Sequence, residues 1–217
     1  MGFDEWMRQG EPDLFTGCSG KNYDITPSKY LLYQDPLGSK FLHYNKTLTT
    51  DMDAVYSNLE KAFTHDAANA CGALQKHIAE FYALMMRALY YKWRLPLDIW
   101  EAYHNGDKQA LQALIGKKIE PLRKTLAETA RARRRVWLDE CNAFGSEVLD
   151  HRFGAMMIRL DAAQELITDY VQGNIDTIGE LEEGRLDPCP EMDKVLEPQA
   201  VHYNRALRIM TACRETW

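Results

Sequence analysis

Long apolar runs are missing from this 217-residue sequence. Nothing approaches the roughly 20 consecutive apolar residues of a bilayer-spanning helix, so no membrane role is expected. The opening MGFDEWMRQG has no basic segment leading into an apolar one, so it does not read as a signal peptide. Paired cysteines are missing too. The five cysteines stand at positions 18, 71, 141, 189 and 213, without a CxxC and odd in number. That pattern speaks against a disulfide framework and fits scattered reduced thiols in a cytoplasmic chain. A basic surplus is also lacking: 26 Lys and Arg face 32 Asp and Glu, a formal net charge of −6. Phosphate binding wants a positive field, so nucleic acid is not an expected partner. Alternation of strand and helix patterns is absent throughout, which excludes a (β/α)₈ barrel within these residues.

What is present is helical periodicity. HYNKTLTTDMDAVYSNLEKAF carries Leu48, Met52, Val55, Leu59 and Phe63 at steps of three and four, an amphipathic helix. A break is expected near Thr64–Asp66, and a second helix from about Ala67 to Trp93. Pro96 should end or kink that helix, since proline lacks a donor and clashes with the preceding turn. PLDIWEAYHNGD reads as another helix stopped at Asn105–Gly106, and Asp107 as the cap of a short one to Ile115. Two long helices follow, near 117–143 and 146–173. The first puts Leu122, Leu126, Val136, Trp137, Cys141 and Phe144 on one face. The second puts Leu149, Phe153, Met156, Leu160, Ala163, Ile167, Tyr170 and Val171 along one stripe. The turn at Gly145–Ser146, with Ser146 a candidate cap, makes them antiparallel neighbours. The expected fold is all-α: an antiparallel bundle over 41–187, an irregular N-terminal arm over 1–40 and a tail over 188–217. Short helices are expected in the arm at Asp4–Met7 and at Ser28–Tyr33.

The candidate chemical motifs are weak. GCSGKNY, Gly17 to Tyr23, lacks both the first glycine and the hydroxyl residue of a phosphate-binding loop. The histidines at 43, 65, 77, 104, 151 and 202 include no i, i+4 pair on one helix and none at ligand spacing from a cysteine. Neither a metal nor a cofactor is expected. Asp139–Glu140 are sequence neighbours on a helix and so do not face each other as an acid/base pair would. In RARRRVW, Arg133 falls on the apolar face and should find an acid, with Asp150 and Asp161 as candidates. FYALMMRALYYKW is apolar nearly all round. It is either the central helix of the bundle or, through Tyr82, Tyr90, Tyr91 and Trp93, a cover for a second surface such as a homodimer partner.

Three segments resemble a known family. PSKYLLYQDPL (Pro27–Leu37), FGSEVLDHRFGAMMIRL (Phe144–Leu160) and DTIGELEE (Asp176–Glu183) are similar to the C-terminal helical domain of bacterial β-N-acetylhexosaminidases of glycoside hydrolase family 20. The resemblance spans most of residues 3–187 and departs at Ser146 and His151. It implies mostly an absence. In that family an adjacent Asp–Glu pair on a (β/α)₈ barrel does the chemistry, the Asp holding the 2-acetamido group and the Glu acting as general acid/base. GFDE, Gly2 to Glu5, is only superficially similar to that signature and fits the linker after a barrel better. The chain is therefore expected to be a non-catalytic part whose partners are a catalytic barrel and a second copy of itself. A self-contained helical binding or scaffold module is the alternative.

TPSKYLLYQDPLG, Thr26 to Gly38, is short, aromatic and bounded by prolines. Two readings stand. Tyr30, Tyr33, Gln34 and Asp35, with Asp150 and Arg152, form a surface toward the barrel or the rim of its pocket. Otherwise the stretch closes the bundle end, with Asp35 paired to a local arginine such as Arg152.

Overall fold

A computed structural model describes residues 32–39, 42, 46 and 50–183. Helix α1 spans Met52–Ala68, α2 Ala73–Lys92, α3 Leu95–His104 and α4 Lys108–Leu114. A π-helical turn at Ile115–Ile119 joins α4 to α5, Glu120–Glu140; then come α6, Ser146–Gln172, and the single turn α7, Gly179–Glu182. Every regular element among the described residues is helical, so the all-α expectation holds.

The boundaries follow local chemistry. Asp51 accepts a bond from the Ala54 amide and starts α1, and Asp107 does the same for α4 through Ala110. Pro96 sits in the first turn of α3, where a missing donor costs nothing. Gly106, Gly145 and Gly173 take positive φ after α3, before α6 and after α6. Several boundaries differ from expectation. There is no break at Thr64–Asp66; α1 continues to Ala68, and the gap falls at Asn69–Gly72. Ser146 does not cap α6. Its hydroxyl donates to the Ala143 carbonyl, while Glu147 turns back to the Gly145 amide. The expected helices at Asp4–Met7 and Ser28–Tyr33, the Gly17–Tyr23 loop and the tail over 188–217 lie largely or wholly outside the described residues.

Polar pairs at the helix surfaces record the topology. Glu120 faces Gln164, Arg123 faces Asp161 and Arg134 faces Asp150. As one number rises the other falls in step, so α5 and α6 run antiparallel. Arg87 with Glu60 and Trp93 with Asp53 show the same for α1 and α2. His77 with Asp139 and Glu80 with Arg135 show it for α2 and α5.

Helix α2 is central. Ala83, Met85, Met86, Ala88, Leu89, Lys92 and Trp93 are all buried. Trp93 is not an outward cover; it is 8 % exposed, and its indole donates to Asp53. Tyr82 lies against Phe63 and Phe81, and Tyr91 packs on the core. Of the four expected interface aromatics only Tyr90 is exposed. On α6, Phe153, Met156, Leu160, Ala163 and Ile167 are buried as the stripe requires. On α5 the stripe is Leu122, Leu126, Ala132 and Val136, joined by Thr125 and Thr129. Both threonine hydroxyls bond to the carbonyl four residues earlier, which makes them tolerable inside. Cys141 and Phe144 leave that face because α5 stops at Glu140; Phe144 is 90 % exposed. Among the described residues Arg133 pairs with no acid: its guanidinium lies over the Phe81 and Trp137 rings. Asp161 takes Arg123 instead.

Candidate functional site

Residues 32–39 reach the bundle as a strap. Leu32 and Leu37 enter the same core as Trp93, Met156 and Leu160, so this end of the arm is part of the folded body. Burial of two leucines favours the strap's docked position by about 1.5–3 kcal/mol each. Between them the chain must bury polar groups, and each finds a partner. The Gln34 amide donates to the Trp93 carbonyl at 3.1 Å, where α2 ends, and accepts from the Ser39 hydroxyl at 2.6 Å. Asp35 precedes a proline, which keeps it out of a helix and turns its carboxylate along the strap. Its Oδ1 accepts from the amides of Leu37 at 2.9 Å and Gly38 at 2.8 Å, a side-chain-closed turn.

The second half of the site comes from α6. Arg159 precedes the buried Leu160 on α6 and is itself half-buried. Its Nε donates to Asp35 Oδ2 at 2.6 Å and its Nη2 to Asp35 Oδ1 at 3.0 Å. The same Nη2 donates to Glu180 Oε2 at 2.7 Å, on α7. Burial alone would push the Asp35 carboxyl up. The Arg159 bond and charge, with the Gly38 and Leu37 amides, outweigh it and hold the pKa below the ordinary value. The bond from Asp35 in turn raises the Arg159 pKa.

Helix α7 has a second anchor. The Tyr103 hydroxyl, from α3, donates to the Glu182 carboxylate and accepts from the Ile178 amide at 3.2 Å. Burial, then the bond to Glu182, raises the Tyr103 pKa above its ordinary value. Ile178 and Leu181 complete the attachment in the core.

The sequence-derived site residues separate here. Gln34 and Asp35 are 1 % and 3 % exposed, with their side chains turned inward. Tyr33 is half-buried against the core. Tyr30 lies outside the described residues. Asp150 is exposed and stands 3.9 Å from Arg134, near the start of α6 and nine residues before Arg159. Arg152 is half-buried on α6, and Arg159, two turns further on, is the arginine that Asp35 meets. Asp139 of the adjacent acid pair is held by His77, with Nδ1 and Oδ2 2.5 Å apart. Among the described residues no cluster of three or more metal-ligating side chains occurs. No described helix is long and apolar enough to cross a membrane.

Arg159 and Glu180 were missing from the sequence-derived set, yet both lie inside quoted motifs. Asp35 belongs to PSKYLLYQDPL, Arg159 to FGSEVLDHRFGAMMIRL and Glu180 to DTIGELEE. The three segments that carried the resemblance therefore meet in one ion network. Residues 4–200 match the family Glycoside Hydrolase 20C C-terminal domain. The chain belongs to this family. No curated protein matches it. As a glycoside hydrolase 20C C-terminal domain, it has the all-helical body that the resemblance implied, and the network is where its three recognisable segments are fastened together.

Proposed function

We propose that this domain is a non-catalytic helical support for a β-N-acetylhexosaminidase barrel, and that the strap is the rigid junction between the two. One observation carries the reading: Asp35 is enclosed and held by two backbone amides and a two-bond arginine, 124 residues away in sequence. A carboxylate fixed at four points makes the segment entering the bundle part of its rigid body. Acidic side chains of the body, among them Asp35, Glu60, Asp98, Asp161 and Glu180, are engaged by arginines or lysines, which supports a structural use for them. The docking surface toward the barrel is built around the strap, with the outer side of Tyr33 at its edge, while Gln34 and Asp35 act from within by fixing the backbone.

Self-association is the second part of the proposal. Leu138 on α5, Phe144 in the α5–α6 turn and Ile158 on α6 are 50 %, 90 % and 66 % exposed. Cover by a second copy of the chain would take these side chains out of water, which favours a homodimer. The proposed setting is cytoplasmic, in keeping with Cys71 and Cys141, both free and exposed.

The gene tests the barrel assignment. A reading frame continuous with Met1 and encoding a family 20 barrel upstream is the expected result. A stop codon and promoter directly upstream would favour the self-contained helical module.

A further inference from the structure

The α5–α6 turn is tightly held and yet presents its largest side chain to water. The Cys141 amide donates to the Trp137 carbonyl at 2.7 Å, the Trp137 indole to the Asn142 carbonyl at 2.8 Å, and the Ser146 hydroxyl to the Ala143 carbonyl at 2.8 Å. These bonds fix the turn, and with it Phe144 as a knob, 90 % exposed. On either side of the turn stand two exposed acids, Glu140 at the end of α5 and Glu147 at the start of α6.

A groove of about 660 Å³ lies at the same end of the bundle, between the end of α1, α2 and α5. That end is shared because α2 and α5 run antiparallel there, with His77 on Asp139. Ala67 and Ala68 line the groove from α1, and Ala83 and Leu84 from α2. Thr64 adds little polarity, since its hydroxyl donates to the Glu60 carbonyl. Lys76 and Arg135 also line it and share one carboxylate, Glu80, at 3.9 and 3.5 Å. The groove thus has small apolar walls and one positive charge in excess.

We propose that the homodimer is built by exchange of this knob: Phe144 of each copy enters the groove of the other. The inference rests on the homodimer reading above and names its contact. A two-fold pair needs knob and groove on one patch, and the shared end supplies both. The alanines and Leu84 take the ring out of water, and the cations of Lys76 and Arg135 suit an aromatic ring. Glu140 and Glu147 travel with the knob and bring negative charge to the positive surplus of the groove.

Sedimentation equilibrium on the full chain tests it, with Phe144→Ser removing the knob and Ala68→Tyr filling the groove. The parent is expected to dimerise, and each variant to dimerise at least about tenfold more weakly. Mixing the two variants, one of them fluorescently labelled, is expected to give a heterodimer tighter than either variant's own dimer. There the intact Phe144 of the Ala68→Tyr chain meets the open groove of the Phe144→Ser chain. A monomeric parent overturns the homodimer and this contact together. A parent dimer that either variant fails to weaken, or a mixture no tighter than the variants alone, overturns the contact and leaves the homodimer standing. Should Ala68→Tyr not fold by circular dichroism, Ala70→Tyr, which also lines the groove, replaces it with the same expected and contrary results.

Discussion

Asp35 and Arg159, 124 residues apart in sequence, form a two-bond ion pair at 2.6 and 3.0 Å that fastens the entering chain to the middle of α6. The pair is asymmetric: the acid is enclosed, whereas the arginine keeps about a third of its side chain in water. Losing the acid leaves a partly buried cation short of a partner and two amides without an acceptor.

Asp35→Ala should therefore lower unfolding free energy by about 3 kcal/mol, and Asp35→Asn by about 1 to 2 kcal/mol, since the amide still accepts from the backbone. Urea unfolding measures both. Equal losses would show that the acceptor for the two amides contributes nothing beyond the charge.

The pair also sets an acid limit. The pKa of Asp35 is held below its ordinary value of 3.8 in the folded chain, so the folded state favours the ionised acid. Its contribution is fully present above about 3.8 and is lost as pH falls through the lower folded value. Unfolding free energy measured against pH should show this loss in the parent chain. Subtracting the Asp35→Asn curve should isolate it, and parallel curves below pH 4 would refute the assignment.

Tyr103 behaves in the opposite range. Its raised pKa means that the folded chain favours the neutral phenol, present below the ordinary value of 10.0 and disfavoured as pH climbs past it. Alkaline titration should loosen α7 in the parent chain, read as faster exchange at Leu181 after correction for intrinsic rates. Tyr103→Phe should remove the step.

Gly145 holds the turn into α6 at φ 93, and a Cβ there would stand 3.2 Å from the Trp137 ring. Gly145→Ala combines a left-handed backbone with a crowded indole and should cost about 1 to 3 kcal/mol in thermal or urea unfolding. A neutral result would mean that the turn relaxes.

Phe144→Ser with Ile158→Ser should leave stability within about 0.5 kcal/mol, because neither side chain is in the core. Sedimentation of the parent chain should show self-association that this double variant weakens. A monomer in both would contradict the proposed homodimer.

The helices were legible because their signals are local. Pro96, Gly106, Asp107 and Gly145 each act within one turn, and the α6 stripe repeats without a polar interruption, whereas the Asp51 cap falls inside a stretch that reads as one helix from His43. The α5 face was only half legible. Thr125 and Thr129 look polar in sequence but satisfy their hydroxyls on their own helix and go inside. Phe144 extends the stripe on paper, but the chain has left the helix before reaching it. The junction was legible as three motifs and illegible as a network. A guanidinium on a long stem can choose among acids far apart in sequence, and the spacing of Arg159 from Asp35 and Glu180 has no period to betray it. Arg133 shows the same limit, since aromatic rings stand where an acid was expected.

The central claim is that this domain supports catalysis without performing it. Purified chain assayed with chromogenic N-acetyl-β-glucosaminide and N-acetyl-β-galactosaminide measures that directly. The account predicts no turnover above buffer in the parent chain and no change in Asp139→Asn or Glu140→Gln. Turnover that a single substitution in this chain abolishes, with the fold intact by circular dichroism, would contradict it.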